Sequence, residues 1–93
     1  MDAERAERIG LVNKVVPPDK LIDEAMNLAT KLASKSPIAL QMGKTAFYTM
    51  SDMEFEKALE YSDEMFAELC TTEDALEGIQ AFREKREPVW KLR

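Results

Sequence analysis

The residues best suited to chemistry in this chain lie close together near its C-terminal end. Phe82 is followed three positions later by Lys85 and four positions later by Arg86, so on a helix the aromatic ring and both cations share one face. A ring that stacks and a cation that donates a charge-assisted hydrogen bond suit a nucleotide that carries a phosphate. The same spacing allows a plainer interpretation, in which Phe82 is a core residue and Lys85 is a solvated charge at a helix end.

Two pairs of glutamates at helical spacing, Glu60 with Glu64 and Glu73 with Glu77, suggest a general acid and base. That work needs a carboxyl group that is buried enough to raise its pKa and that points into a cleft. Both pairs lie opposite or beside the apolar faces of their helices, which favours a solvated surface. The chain has no histidine and one cysteine, so a Cys/His nucleophile pair and an ordinary zinc site are excluded. We therefore predict no catalytic residue and no metal ligand.

The elements that position these residues are predicted to be amphipathic helices. The last helix begins after Thr71 or Thr72, carries acidic residues in its first turn and basic residues in its last, and is closed by Pro88. Its inner face is predicted to hold Ala75, Ile79 and Phe82.

Three longer helices are predicted before it. Pro37 suits a first helical position, and the segment 51–54, Ser-Asp-Met-Glu, has the form of a capping box. We predict helices from Pro18 or Asp19 to about Ser34, from Ser36 as N-cap to about Tyr48 or Met50, and from about Asp52 to Cys70.

The first residues differ from the rest. A short helical turn is predicted to end at Gly10, and Leu11 to Val16 is predicted to be a strand. A lone strand in a helical chain must find its backbone partners outside the chain. The predicted fold is therefore mainly α: one domain over residues 1–93, a small bundle of four to five amphipathic helices with one short N-terminal strand.

Three motifs, in the same order along the chain, carry a resemblance to a known family. They are Gly10-Leu11-Val12-Asn13 followed by Val15-Val16-Pro17, then Ser36-Pro37-Ile38-Ala39, and finally Asp-x-x-Glu-Gly-x-x-Ala-Phe-x-Glu-Lys-Arg-x-Pro-x-Trp from Asp74 to Trp90. The set resembles the C-terminal region of the enoyl-CoA hydratase/isomerase (crotonase) family and covers nearly the whole chain.

The resemblance implies a C-terminal helical, trimer-forming domain without the upstream catalytic spiral domain. It implies an acyl-CoA partner, a coenzyme A thioester as the parent's substrate, no covalently bound cofactor, and hydration or isomerisation of 2-enoyl-CoA. Phe82 and Lys85 fall on positions expected to contact the adenine and phosphate end of coenzyme A, and Phe66 on a position expected to line the acyl or adenine side. The isolated chain is expected to be inactive.

The tail after Pro88 contains an indole that needs a surface to pack on. We predict that Trp90, with Val89, either docks on its own chain or contacts a partner subunit of a homo-oligomer, trimer-based in the parent.

Composition narrows the alternatives. The net charge is −5, with +3 in residues 83–93 and −8 in the remainder, and an acidic body argues against nucleic acid as a partner. No apolar run could span a membrane, so a cytoplasmic protein is expected. Two other functions remain open: a freestanding helical protein-binding module without catalytic activity, and a small acyl-CoA carrier.

Overall fold

The computed structural model describes all residues, 1–93, and is mainly α-helical. It is 69% helical and contains no strand. The helices are α1 (Ala3–Arg8), α2 (Leu21–Ala33), α3 (Pro37–Met50), α4 (Phe55–Cys70) and α5 (Glu73–Glu84). None of the five combines the length and apolar character that crossing a lipid bilayer demands.

The N-terminal segment confirms the predicted helical turn and corrects the predicted strand. The Asp2 carboxylate caps α1 by accepting from the N–H of Arg5 at 2.8 Å, and Gly10 ends the turn with φ +78°. The N–H groups of Leu11 and Val12 both donate back to the carbonyl of Ala6. Residues 11–16 form no strand, because no second strand is available to pair with them.

Helix α2 follows the predicted span with a tighter first turn. Residues Pro18–Lys20 form a 3-10 turn in which the Lys20 N–H donates to Pro17 O at 2.9 Å, and the α-helix runs from Leu21 to Ala33. No residue of α2 is buried; Ile22, for example, is 72% exposed. Its apolar face is therefore uncovered.

The start of α3 is as predicted, whereas the start of α4 differs. Ser36 Oγ accepts from the Ala39 N–H at 3.2 Å, which confirms it as the N-cap of α3. Ser51 does not cap α4, because its hydroxyl donates to Tyr48 O at the end of α3. Glu54 caps α4 instead by accepting from the N–H groups of residues 56 and 57, so α4 starts at Phe55.

The chain divides into two compact units, Met1–Leu32 and Ala33–Arg93. The second unit contains α3 packed against α4, with α5 in contact with α4. Its buried residues are Ala46, Asp74 and Ala81. The predicted inner face of α5 is wrong for two of its three members: Ile79 is 53% exposed and Phe82 is 85% exposed. The face around Asp74 and Ala81 is buried instead, because the tail that follows α5 covers it.

Candidate functional site

The end of α5 reverses the direction of the chain. The helix ends at Glu84, not at Pro88 as the sequence suggested, and Lys85 adopts a left-handed conformation with φ 54° and ψ 42°. The Lys85 N–H donates to the carbonyls of Ala81 and Phe82, and the Arg86 N–H donates to Ala81 O at 3.0 Å. These bonds satisfy the last carbonyls of α5 and send the tail, residues 85–93, back along the helix.

Arg86 is held between two carboxylates, and we call Arg86, Glu77 and Glu84 the clamp. Its Nη1 and Nη2 donate to the two carboxylate oxygens of Glu77 at 2.5 and 3.1 Å, and its Nε donates to Glu84 Oε2 at 2.5 Å. Glu77 also accepts from the Val89 N–H at 2.9 Å. A bidentate pair of this kind fixes orientation as well as distance.

The hydrogen bonds of the clamp shift the pKa values of its three members. Hydrogen bonds from Arg86, and then from the Val89 N–H, lower the pKa of Glu77 to about 2. Hydrogen bonds from Arg86 and Gln80 lower the pKa of Glu84, and the two carboxylates raise the pKa of Arg86. All three groups are therefore fully charged at neutral pH.

Asp74 fastens the end of the tail. It is 1% exposed, and its carboxylate accepts from the N–H of Lys91 at 2.7 Å and of Leu92 at 3.0 Å. Its own N–H donates to Arg93 O at 2.9 Å. Leu92 has a positive φ of 63°, a conformation that is costly for an L-residue and is retained here by these bonds.

Trp90 packs on its own chain, which is the first of the two predicted possibilities. Its Nε1 donates to Ser34 O at 3.0 Å, and its ring lies over Gly78. Val89 contributes its backbone N–H to Glu77, and its side chain stays 68% exposed.

An open groove of about 460 Å³ adjoins this arrangement. Apolar atoms dominate its surface, and Arg83 is the basic residue along it. The groove is lined by Ser36, Ala39, Leu69, Asp74, Ala75, Gly78, Ile79, Phe82, Arg83 and Trp90.

Of the three predicted site residues, one lines the groove and a second lies three positions after it in the chain. Phe82 lines the groove, and Lys85 lies one turn further along, with its N–H bonded to Phe82 O at 3.3 Å. Phe66 lies on α4, is 67% exposed, and is not among the residues that line the groove. The side chains of Phe82 and Phe66 thus both lie on the surface and not in the core of the chain.

The cations near the end of α5 fall into two groups. Arg86 and Arg93 are engaged in ion pairs, with Glu77 and Glu84 and with Glu73 respectively. Lys85 and Arg83 are exposed and take part in no ion pair. Lys85 can therefore donate to a ligand without first breaking an internal contact.

The glutamate pairs singled out in the sequence have no acid–base geometry. Glu60 and Glu64 are exposed, Glu73 pairs with Arg93 on the surface, and Glu77 belongs to the clamp. Sequence reasoning missed the structural roles of Asp74, Glu77 and Arg86. Glu77 and Arg86 are nine positions apart, which places them on different faces of a continuous helix, and only the left-handed turn at Lys85 brings them together.

Comparison with known proteins defines the class. The family model described as enoyl-CoA hydratase/isomerase matches residues 1–93. The chain belongs to the enoyl-CoA hydratase/isomerase family.

Individual relatives agree with this assignment. The chain is 41% identical over 97 residues to the carnitinyl-CoA dehydratase of Citrobacter koseri, covering 100% of this chain and 37% of the relative. Among solved structures, an enoyl-CoA hydratase from Bacillus anthracis matches with a TM-score of 0.90 at 36% identity, covering 98% of this chain and 35% of the other. An enoyl-CoA hydratase from Mycobacterium smegmatis matches with a TM-score of 0.90 at 38% identity, covering 97% of this chain and 35% of the other. The chain thus spans little more than a third of the length of these relatives.

Proposed function

We propose that residues 1–93 act as the C-terminal helical domain of an enoyl-CoA hydratase/isomerase, where they support subunit association and form one wall of the acyl-CoA pocket. The parent reaction is hydration or isomerisation of a 2-enoyl-CoA thioester. The name carnitinyl-CoA dehydratase, borne by the relatives, fits this proposal, because dehydration is hydration in reverse.

The exposed surface supports an association role. The chain exposes 8038 Å². A compact monomer of 10.6 kDa exposes about 5,500 Å², and even two separately compact units of these lengths would expose about 6,500 Å². The apolar residues that are buried are three alanines, whereas Phe47 is 66% exposed and Phe55 74% exposed. Large apolar side chains left exposed in this way are typical of surfaces that dock on other protein.

The observation that carries the coenzyme A assignment is the state of Phe82 and Lys85. Phe82 is 85% exposed at the edge of the groove, and Lys85, one turn away, has no internal ion pair. An exposed ring can stack on adenine, and a free ammonium can donate to phosphate. Phe66 is likewise exposed, so it is available to line the acyl or adenine side.

The proposal assigns no bond chemistry to this segment. Asp74 is the buried polar residue, and both of its carboxylate oxygens already accept backbone N–H groups. Because the residue is 1% exposed, its carboxylate holds the tail and presents almost no surface to a substrate. The acid and base of the parent would have to come from other residues of that protein.

The test is a chimera in which this chain replaces the matching 37% of the Citrobacter koseri dehydratase. In an active chimera, Lys85→Gln and Phe82→Ala are each expected to raise KM for the thioester by about three- to tenfold with kcat within about twofold, since both contact the nucleotide and not the reacting atoms. Lys35→Gln, an exposed lysine without an ion pair, is the control. Unchanged KM in both variants would contradict the pocket role.

The same exposed apolar faces also suit a freestanding module that binds a different protein. Sedimentation of the purified chain separates the two functions. Concentration-dependent self-association supports the association role, whereas a monomer at all concentrations favours the module.

A further inference from the structure

Lys85 occupies a backbone conformation that L-residues rarely adopt. Its φ of 54° is one of two positive values among the non-glycine residues of the chain. Glycine is the usual residue at this point of a helix end, because it adopts the left-handed region without a steric cost. Something in the surrounding structure must therefore retain this conformation with lysine in place.

The contacts on both sides of Lys85 supply that constraint. On one side its N–H is bonded to the last carbonyls of α5. On the other side the next residue, Arg86, is fixed by Glu77 and Glu84 through both ends of its guanidinium. Lys85 is thus the single residue between a helix end and a fixed side chain.

We infer that Arg86, held by Glu77 and Glu84, is a positioning residue that sets the left-handed turn at Lys85 and thereby presents the Lys85 ammonium to the phosphate end of coenzyme A. The inference rests on the proposed function of Lys85. It adds a role for three residues that do not touch the ligand themselves.

Direct contact between Arg86 and a phosphate is the competing explanation, and the geometry opposes it. Arg86 already makes four hydrogen bonds, to both oxygens of Glu77, to Glu84 and to the carbonyl of Glu87. Two carboxylates more than offset its single positive charge, and a guanidinium has five N–H donors in all. Lys85, by contrast, has no such partner.

The first test is a double-mutant cycle on the 93-residue chain. Binding of coenzyme A is followed through backbone amide NMR shifts, with pantetheine, which lacks the nucleotide and the phosphates, as the reference ligand. Lys85→Gln and Arg86→Gln are each expected to weaken coenzyme A by about three- to tenfold while leaving pantetheine unchanged. In the Lys85→Gln background, Arg86→Gln should weaken coenzyme A binding by less than about twofold, because its effect passes through Lys85.

A second variant separates positioning from charge. Glu77→Gln removes a negative charge beside the basic tip, so a purely electrostatic effect would strengthen coenzyme A binding. The positioning role predicts weaker binding, since Arg86 loses its bidentate partner. Lys91→Gln is the matched control: it removes one cation from the same tip, and its side chain belongs to no ion pair. Trp90 fluorescence shows whether each variant keeps its tail in place.

The outcomes are distinct. If Lys85→Gln weakens coenzyme A but Arg86→Gln and Glu77→Gln do not, the positioning role is wrong and the proposed function stands. If Lys91→Gln weakens binding as much as Arg86→Gln, general electrostatics explains the result and the positioning role is also wrong. If Lys85→Gln has no effect, either on these shifts or, where the chain alone gives no coenzyme A shift, on KM in the chimera, the proposed role of Lys85 fails and this inference fails with it.

Discussion

The ring of Trp90 lies directly over Gly78, so that a Cβ built on Gly78 would stand 3.5 Å from Cη2 and 3.6 Å from Cζ3 of the indole. These are ordinary van der Waals distances. The contact therefore has room for one methyl group and for little more.

Gly78→Ala is expected to stabilise the chain by up to about 1 kcal/mol, because it removes a helix-interior glycine without displacing Trp90. Gly78→Leu is expected to displace the indole, break its bond to Ser34 O and shift Trp90 emission to the red. Urea unfolding and fluorescence measure both effects. Gly43→Ala is the control, since a Cβ there meets nothing within 4 Å. A destabilised Gly78→Ala variant would show that the ring lies closer than described.

Asp74→Asn is expected to lower the free energy of unfolding by about 1–3 kcal/mol. An amide NH2 group takes the place of one of the two buried acceptor oxygens and leaves a tail N–H unpaired. Hydrogen exchange should accelerate at the N–H groups of Lys91 and Leu92. Glu73→Gln, one residue earlier, removes only an exposed pair with Arg93 and should change stability by less than about 0.5 kcal/mol. Equal effects of the two changes would contradict the role given to Asp74.

The clamp predicts how the stability of the chain changes at acid pH. Because the pKa of Glu77 is lowered from 4.5 to about 2, the stability that its carboxylate contributes is complete above pH 4.5 and is lost as pH falls through about 2. The Tm of the Glu77→Gln variant should therefore lie below that of the parent chain at pH 6 and approach it as the pH is lowered from 4.5 toward 2. A gap that stays constant over this range would show that Glu77 is not held by Arg86 and the Val89 N–H.

Thr72, not Thr71, caps α5, because Thr72 Oγ1 accepts from the Ala75 N–H at 3.1 Å. Thr72→Ala is expected to lower the free energy of unfolding by about 1 kcal/mol. Thr71→Ala removes only an exposed hydroxyl that donates to Glu68 O, and should change stability by less than about 0.5 kcal/mol. Thermal unfolding of the two variants compares them, and the reverse order would contradict the assignment of the cap.

Local signals in the sequence predicted much of the fold. Ser36 with Pro37 predicted the start of α3, and Gly10 predicted the end of the first helical turn, because caps and left-handed turns depend on nearby residues. The motifs also identified the family. The strand over 11–16 was wrong, since a strand requires a partner that local sequence cannot supply.

The clamp and the tail could not be predicted in the same way. Asp74 reads in the sequence as one of two acidic residues that favour a helix N-terminus, yet it binds residues 17 and 18 positions away. The buried face of α5 was misassigned because Ile79 and Phe82 are the larger apolar residues, whereas the tail covers the face with Gly78 and Ala81. Periodicity finds an apolar face but cannot show that a returning tail covers a different one.

Whether Phe82 and Lys85 bind the nucleotide end of coenzyme A can be measured by a residue-by-residue NMR titration of the unmodified chain with coenzyme A, run in parallel with pantetheine. We expect saturable shifts for coenzyme A at Phe82 and Lys85, together with Phe66, that pantetheine does not reproduce at Lys85. Shifts confined to residues 1–32, or identical shifts with the two ligands, would contradict this expectation.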